Sequence, residues 1–480
     1  MELKLFNTLG RKLEILKPED GKTLRFYCCG PTVYGPAHIG NFRTFVIQDL
    51  CRRVVESVGY KTLHVRNITD VDDKTIRQAV DSEKSLRRVT DHWGQRFEND
   101  CQKLNLLPPH QAPSAVGHIA EQIGLIKKLI SKDLAYVATN GSVYFRISNY
   151  KDYGKLSGKK GKGLQKNADR RLSDADEYDK ESWQDFVLWK HKKPEDGHNY
   201  WESPWGLGRP GWHIECSAMA IKYLGESFDM HSGGIDLCFP HHENEIAQSE
   251  GVTGKTFARH WFHVDHLRVE GKKMSKSIGN LFLIDDIESW GFHPMELRYV
   301  LLSGHYRQTF NFTREALSAA RKVLQRFASL HQQYDCEAVS KEILRPKSWG
   351  SFSGVQKALL DDLNVSKAFG ELHTIAAKAI PKIKNQSLSI EEGRDLQVGL
   401  FLTFDTLGIN LKPFYNNRSD LQNTPTPPEI ERLAERRWEA KKNREWALAD
   451  TLRTEILESG WIVKDHKAGF DLSKNDSLNK

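Results

Sequence analysis

The first 75 residues contain a strand, a loop rich in glycine and proline, a helix and a second strand, and this order strongly constrains the fold. Residues 24–28 are aromatic and apolar, and they run directly into the loop at 30–41. Apolar residues recur at helical spacing from 41 to 57, Gly59 ends the helix, and residues 61–66 predict the next strand. Such a βαβ unit presents a loop and a helix N-terminus to nucleotide phosphates. We therefore predict an α/β, Rossmann-like domain built on a parallel sheet.

Polar residues lie where this sheet would form its ligand crevice. The loop contains His-Ile-Gly-Asn at 38–41, and the second strand runs into the polar segment 67–74. The carboxyl ends of parallel strands line the crevice in sheets of this type. A lone histidine in such a loop is otherwise a surface residue, and we interpret Asp72 and Asp73 as caps of the following helix.

A second polar cluster follows in the middle of the chain. Pro240 begins a polar run without turn residues, which predicts a helix start and places His241 and Glu245 on one helix face. Imidazole and carboxylate at this spacing supply half of a metal site, although such a pair is more often a solvated helix face. Cys216, upstream, and Cys29, beside the first loop, are candidate thiolate ligands.

Length and composition limit the class of protein. A chain of 480 residues exceeds one compact core and predicts roughly two to four domains. Charged residues make up 28%, and no apolar run is long enough to span a bilayer, which argues against a membrane protein. We see no secretory signal, and the seven scattered cysteines do not suggest a disulfide framework, so we expect a cytoplasmic location. The net charge of +7 is compatible with a polyanionic partner and equally with ordinary solubility.

An insertion interrupts the α/β pattern at residues 116–204. Helical spacing at 119–131 precedes two short strands that Asn140-Gly141 joins as a hairpin, and a mixed-charge run then predicts a mobile loop. The two strands are predicted at 135–137 and 142–145, and the mobile loop at 159–181. An ordered segment is predicted at 185–190. Residues 203–212 predict a rigid loop rich in glycine, proline and tryptophan.

Residues 270–280, called the lysine loop below, bring lysines and serines together between two glycines. Neither a helical nor a strand pattern explains this cluster. It is either an exposed basic turn or a hinged loop that carries ammonium groups to phosphates.

The chain beyond Pro294 has helical periodicity, which predicts an all-α domain. A linker rich in proline and asparagine follows, and the tail then interleaves tryptophans with arginine and lysine. Such a tail can bind a nucleic-acid backbone and stack on bases, or it can form an amphipathic hairpin. The sequence favours neither of these two interpretations. The helical segments lie at 295–302, 314–334, 355–373, 390–407 and 431–457, and a strand follows Gly460 at 461–463.

Together these motifs resemble the class I aminoacyl-tRNA synthetases, and among them the bacterial cysteinyl-tRNA synthetase family. The resemblance covers nearly the whole chain and implies ATP-dependent ligation of L-cysteine to cysteine tRNA through a cysteinyl-adenylate. The class motifs lie at 38–41 and at 273–277 (Lys-Met-Ser-Lys-Ser). Segments typical of the cysteine branch lie at 27–34, 66–74, 208–219 and 239–248, and Asp361-Asp362-Leu363-Asn364 occupies the matching place in the helical domain.

The resemblance also implies one zinc ion per chain. Cys28 competes for one ligand position, but the family's ligand is the cysteine directly before the glycine, which is Cys29. Zinc binds a thiolate well and a neutral hydroxyl poorly, so it would distinguish cysteine from serine. The implied zinc ligands are Cys29, Cys216, His241 and Glu245, and the implied substrate contacts are Thr69, Trp212 and Asp236.

For the nucleotide, the resemblance implies that His38, Gly40 and the helix N-terminus serve the α-phosphate side of ATP. Lys273 and Lys276 would hold the departing pyrophosphate, and Mg²⁺ would accompany ATP. Asn41 stands where the class pattern has histidine; it can donate a hydrogen bond but cannot carry charge. The C-terminal end also lacks a tryptophan that is common in the family.

The resemblance implies a monomer with the following domain order. The catalytic domain covers 1–115 and 205–265, the connective insertion 116–204, the lysine-loop and stem-contact region 266–312, the helical tRNA-binding domain 313–411, the linker 412–428, and the anticodon-binding domain 429–480.

Other functions fit parts of this pattern. A ligase that joins cysteine to an amino sugar uses the same catalytic domain, but the linker and basic tail disfavour it. A catalytically silent RNA-binding paralogue and a zinc–thiolate redox sensor are disfavoured by the intact lysine loop, by His38 and by the four ligand positions.

Overall fold

The computed structural model describes residues 2–159, 185–275, 278–336, 349–415, 427–466 and 469–474. Most of the predicted mobile loop at 159–181, Lys276 and the middle of the predicted linker at 412–428 lie outside the described residues. The chain divides into two compact units, Met1–Phe414 and Tyr415–Lys480.

The strands in chain order are β1 (Leu3–Asn7), β2 (Lys12–Leu16), β3 (Thr23–Cys28), β4 (Lys61–Arg66), β5 (Ala135–Val137), β6 (Val143–Phe145), β7 (Phe186–His191), β8 (Trp201–Ser203), β9 (Gly206–Pro210), β10 (Phe228–Gly234), β11 (Ala258–Val264), β12 (Leu267–Val269), β13 (Lys272–Lys273), β14 (Phe310–Phe312), β15 (Trp461–His466) and β16 (Gly469–Lys474). The α-helices are α1 (Ile39–Ser57), α2 (Asp73–Asp81), α3 (Leu86–Lys103), α4 (Ile119–Ser131), α5 (Trp212–Leu224), α6 (Glu243–Thr253), α7 (Ile284–Ser289), α8 (Pro294–Ser303), α9 (Arg314–Gln333), α10 (Ser353–Leu360), α11 (Val365–Lys384), α12 (Ile390–Leu407), α13 (Pro428–Lys442) and α14 (Trp446–Glu458).

A four-stranded parallel sheet in the order β11-β10-β3-β4 lies at the centre of the first unit. Its strands are almost continuously buried, as is usual for parallel sheets, whose faces are covered by other elements. Helix α1 makes the crossover from β3 to β4, so the predicted βαβ unit is confirmed. Because all four strands run the same way, their carboxyl ends meet at one edge.

The insertion forms a separate sheet in the order β5-β6-β7-β9-β8. The predicted hairpin is confirmed, since β5 pairs with β6 and Gly141 turns the chain at a φ of 86°. The prediction of a loop at 203–212 is wrong, because most of that run forms β8 and β9, which pair with each other, and β9 also pairs with β7. Glycine permits this close pairing: a Cβ on Gly208 would lie 2.2 Å from the carbonyl oxygen of Lys190.

The part of the first unit that follows Pro294 is mostly helical, with two differences from the prediction. Residues 310–312 form β14, which pairs in parallel with β12 beside the lysine loop. The helix predicted at 355–373 is instead α10 and the first half of α11, because Asp362 and Leu363 adopt left-handed φ angles of 58° and 52°. None of the described helices is both long and apolar enough to cross a membrane.

The carboxylate of Asp362 stabilises this helix break. Its Oδ1 accepts hydrogen bonds from the backbone N–H of Phe6 at 3.0 Å and from the hydroxyl of Tyr306, and its Oδ2 accepts from Arg307 Nε at 2.7 Å. These bonds join β1, the helix break and the loop before β14. They offset the backbone strain of the left-handed residues.

The second unit packs α13 and α14 as an antiparallel pair against the β15–β16 hairpin. Its core contains Ile430, Ala434, Ile456, Trp461 and Val463. The helical segment predicted at 431–457 is broken at 443–445, where Arg444 has a φ of 62°.

A buried ion pair joins helices α1 and α8 in the first unit. Asp49 and Arg298 are both buried and paired, and Arg53 Nε also donates to Asp49 Oδ2 at 2.8 Å. Burial alone would raise the pKa of Asp49, but the guanidinium groups of Arg298 and Arg53 outweigh it and lower that pKa. Arg298 also donates to the carbonyl oxygens of Leu407 and Leu104, each at 2.8 Å, so one side chain ties α8 to α12 and α3.

We expect Asp49→Ala to lower the free energy of unfolding by about 3–5 kcal/mol, because it leaves the Arg298 charge buried without its carboxylate partner. Chemical denaturation of the full chain measures the change. Asp91→Ala is the matched control, since Asp91 pairs with Arg87 at 3.5 Å on the exposed surface and its loss should cost less than about 1 kcal/mol. Equal effects of the two substitutions would contradict this account.

Candidate active site

Four potential metal ligands converge at the carboxyl edge of the parallel sheet. Cys29 directly follows β3, Cys216 lies in the second turn of α5, His241 precedes α6 and Glu245 lies in its first turn. All four are buried, and one potential ligand atom of each lies within 4.8 Å of the others. The structure therefore brings together the four residues that the sequence nominated from three separate segments.

The alternation of side chains along β3 explains why Cys29, and not Cys28, reaches this cluster. Neighbouring residues of a strand point to opposite faces. The Cys29 thiol lies 3.9 Å from Cys216 Sγ. Burial raises the pKa of Cys28, and the electrostatic influences on that thiol come from Arg66 and Cys51 instead.

The distances within the cluster fit a tetrahedral zinc ion. The sulfurs of Cys29 and Cys216 are 3.9 Å apart, Cys29 Sγ is 3.7 Å from Glu245 Oε1, and that oxygen is 3.1 Å from His241 Nε2. Metal–ligand bonds of 2.0–2.3 Å place tetrahedral ligands roughly 3.3–3.8 Å apart. Two sulfurs, one imidazole nitrogen and one carboxylate oxygen are also a donor set that suits zinc.

The anionic forms of Cys216 and Glu245 are favoured in this cluster, whereas burial raises the pKa of the Cys29 thiol. A hydrogen bond from Cys29 lowers the pKa of Cys216 to about 6, although burial opposes the shift. Burial would raise the pKa of Glu245, but His231 and His241 lower it to about 2. Burial would likewise lower the pKa of His241, which Glu245 and Cys216 raise to about 10. A metal ion would replace the protons that these groups share.

Neighbouring histidines orient the ligands, and the sequence analysis did not identify them. Glu245 presents Oε1 to the cluster while His231 Nε2 contacts its Oε2 at 2.7 Å. His241 presents Nε2 while its Nδ1 lies 2.8 Å from His213 Nδ1. Polar partners behind a ligand fix its direction and strengthen a metal site. The only sequence signal for His231 was its place in Met-His-Ser-Gly-Gly, where small residues follow the histidine.

A second, overlapping ligand set consists of Cys29, His231, His242 and Glu245. His242 Nε2 lies 3.4 Å from Cys29 Sγ, and its Nδ1 lies 2.8 Å from His263 Nε2. In this set the His231 nitrogen already contacts Glu245 Oε2 closely, at a distance too short for two ligands of one tetrahedral ion. The geometry therefore favours the set that contains Cys216 and His241.

Of the three predicted substrate-contact residues, Trp212 contacts the cluster directly. The Trp212 ring lies over His241 at a centroid distance of 4.2 Å and remains 37% exposed. Thr69 is buried, and its backbone N–H donates to the Pro31 carbonyl at 3.1 Å, which joins the ends of β3 and β4. Asp236 is exposed and lies close enough to His38 to influence its pKa.

The N-terminus of α1 fixes His38. Its Nδ1 accepts from the Asn41 backbone N–H at 3.2 Å, while Asn41 Oδ1 accepts from the His38 backbone N–H at 3.1 Å. The pair forms a capping box. Burial lowers the pKa of His38, so the ring is neutral at neutral pH and carries its proton on Nε2.

The lysine loop lies against this helix start. Lys273 is exposed on β13, and Lys276 is outside the described residues. A Cβ on Gly40 would lie 3.0 Å from both Met274 Sδ and His38 Nδ1, so glycine allows the two motifs to touch. Asn280, which the sequence analysis missed, accepts from the Ser275 N–H at 2.9 Å and donates to the Lys273 carbonyl at 3.1 Å.

Known proteins are similar to this chain over most of its length. A family model described as the class I (C) tRNA synthetase catalytic domain matches residues 15–322. A cysteine–tRNA ligase of Opitutus terrae is 47% identical over 98% of this chain and 99% of its own length, and one of Chlamydia pneumoniae is 42% identical over 97% of each. The chain belongs to the cysteine–tRNA ligase family.

Solved structures show that this family member has the class I fold. Methionyl-tRNA synthetase of Mycobacterium tuberculosis, in complex with methionyl-adenylate, has a TM-score of 0.55 at 13% identity, covering 80% of this chain and 89% of that one. LeuRS of Agrobacterium radiobacter, in a ternary complex with tRNA and LeuAMS, has a TM-score of 0.58 at 11% identity, covering 83% and 86%.

We expect the purified chain to bind one zinc ion and Cys216→Ala to lose most of it, because the substitution removes a thiolate from the cluster. Elemental analysis after gel filtration measures the metal content. Cys238→Ala is the control, since Cys238 is also buried but belongs to neither ligand set. Full zinc content in Cys216→Ala would contradict the assignment.

Proposed function

We propose that this chain ligates L-cysteine to the 3′ end of cysteine tRNA in two steps, with ATP forming a cysteinyl-adenylate intermediate. The observation that supports it best is the buried cluster of Cys29, Cys216, His241 and Glu245 beside an exposed tryptophan, in a chain of the cysteine–tRNA ligase family. Zinc bound by the two sulfurs of this cluster would offer a means of recognising the sulfur of the substrate.

Selection of cysteine against serine would rest on this cluster. A binding site that recognises shape alone discriminates poorly between the similar side chains of cysteine and serine. Zinc held by the four residues would supply a centre that prefers the substrate's thiolate to a hydroxyl. Trp212 would form the wall that covers the substrate, Asp236 would attract its ammonium group, and Thr69 would bind from the end of β4.

Activation of cysteine would depend on positioning and charge. The substrate carboxylate is ionised at neutral pH, so it needs no base to attack the α-phosphate of ATP. His38 is held with its Nε2 proton free to donate, and the N-terminus of α1 adds partial positive charge. Lys273 and Lys276 would neutralise the departing pyrophosphate, and Mg²⁺ would accompany ATP. A terminal ribose hydroxyl of the tRNA would then attack the adenylate and release AMP.

Residues 429–480 would contact the anticodon, as the family resemblance implies. Two of their basic residues are already engaged: Arg437 donates to both oxygens of Asp465, at 2.7 and 3.0 Å, and Lys441 donates to one of them at 2.6 Å. Trp446, by contrast, is 59% exposed and is a better candidate for stacking on a base.

Cysteine-dependent exchange between ATP and pyrophosphate tests the proposed activity. We expect exchange with cysteine and none with serine, and we expect Cys216→Ala to lose exchange and zinc together. Zinc binding without exchange would contradict the proposal, because the centre would then be structural. Exchange with serine at a comparable rate would contradict the selective role of the cluster.

We expect Gly40→Ala to slow exchange by about tenfold to a hundredfold, since its Cβ would displace the His38 ring or Met274, and small displacements of catalytic groups have effects of this size. Gly35→Ala is the matched control, because it lies in the loop that leads into α1 and a Cβ there would meet nothing within 4 Å. Pyrophosphate exchange and the denaturation midpoint should be measured together. A lowered midpoint with normal exchange would show that the contact matters only for folding.

A further inference from the structure

A basic cleft lies between helices α2 and α3, away from the metal cluster. Its volume is about 240 Å³, smaller than a typical cavity for a drug-sized ligand, so it suits a single phosphate or nucleobase. The main polar and aromatic side chains that line it are Gln78, Ser82, Lys84, Arg88, His92 and Trp93.

The charge of this cleft favours an anion. Lys84 and Arg88 are exposed, and neither forms an ion pair within the part of the chain that the structure describes. No acidic side chain is among the residues that line the cleft. By contrast, the adjacent Arg87 points to Asp91, at 3.5 Å. The two cleft cations are therefore available to a ligand.

The aromatic side chains favour a nucleotide over a simple anion. The rings of His92 and Trp93 are 4.8 Å apart and nearly perpendicular, and Trp93 is packed on the small core between α2 and α3. Because that core fixes the tryptophan, its accessible part is a rigid surface. Cations beside a fixed aromatic ring are the usual features of sites that bind single-stranded nucleic acid.

The position of the α2–α3 hairpin connects the cleft with the candidate active site. Helix α2 begins only four residues after Thr69. Its first residue, Asp73, is paired with Lys190 of β7 at 2.7 Å and with Arg209 of β9. At the other end of the hairpin, Arg96 pairs with Asp285, at 2.7 Å, in the helix that follows the lysine loop. The helical rise places the cleft about 8–14 Å along α2 from Asp73, a length that a few unpaired nucleotides can span.

We propose that this cleft binds an unpaired nucleotide near the 3′ end of the tRNA, with Lys84 and Arg88 on its phosphate and the Trp93 ring against its base. The inference rests on the proposed function, because it requires tRNA as substrate. It adds a contact that neither the metal cluster nor the two class motifs supply. The cleft would hold the single strand while its terminal ribose reaches the adenylate.

Equilibrium binding of cysteine tRNA to the full chain tests the inference. We expect Arg88→Ala to weaken binding of intact tRNA by roughly tenfold and to reduce the slope of log affinity against log salt by about one, as loss of a phosphate contact does. Lys84→Ala should behave in the same way. The matched control is Arg87→Ala, which removes the same charge from the neighbouring position of α3 and should leave binding within about twofold of wild type.

A tRNA transcript that lacks its single-stranded 3′ end decides which part of the tRNA is bound. Arg88→Ala and the wild type should bind this shortened tRNA equally. An equal loss of affinity for intact and shortened tRNA, or equal effects of Arg88→Ala and Arg87→Ala, would overturn the inference. Cysteine-dependent pyrophosphate exchange needs no tRNA and should be unchanged in Arg88→Ala. Absence of exchange in the wild type would instead contradict the proposed function, so the two failures are distinguishable.

Discussion

The cluster of buried ionisable groups at the carboxyl edge of the parallel sheet is the constraint on which the active-site region depends. A thiolate, a carboxylate and an imidazolium are each costly to bury alone, and they are stable here because each contacts another. Cys29 and Glu245 come from distant parts of the chain, 3.7 Å apart. The ends of β3, α5 and α6 must therefore meet at one point, and Trp212 of α5 lies over His241 there.

Two further polar contacts connect the helical region with elements that flank the parallel sheet. Arg298 joins α8 to the α1 helix through Asp49, and Asp362 joins the break after α10 to β1 and to the loop before β14. Because β14 pairs with β12, and β12 with the β13 strand that carries Lys273, Asp362 also fixes the base of the lysine loop. Contiguous packed elements therefore run from the helical region to the base of the lysine loop.

The sequence predicted those features that depend on local pattern. Alternation and periodicity were sufficient for the βαβ unit and for the spacing of His241 and Glu245, and the motif positions identified the four ligand candidates. Residues whose role depends on distant contacts were not predicted: His231 supports Glu245 only because β10 lies beside α6, and Asn280 acts only because the loop folds back on itself. The strand at 206–210 was missed because its glycines, read as turn residues, allow close strand packing instead.

The capping box at the first motif explains how asparagine can occupy position 41. The Asn41 side chain accepts from the His38 backbone, and its own backbone N–H holds His38 Nδ1, so the asparagine fixes the direction of the histidine without carrying charge. In the proposed reaction, the Nε2 proton of His38, the helix N-terminus and the lysine loop would then stabilise the developing phosphate charge. Because Gly40 brings Met274 of that loop against His38, the cationic loop lies next to the position that asparagine leaves uncharged. Under the proposed function, this close approach would let the lysine loop supply the positive charge that position 41 lacks.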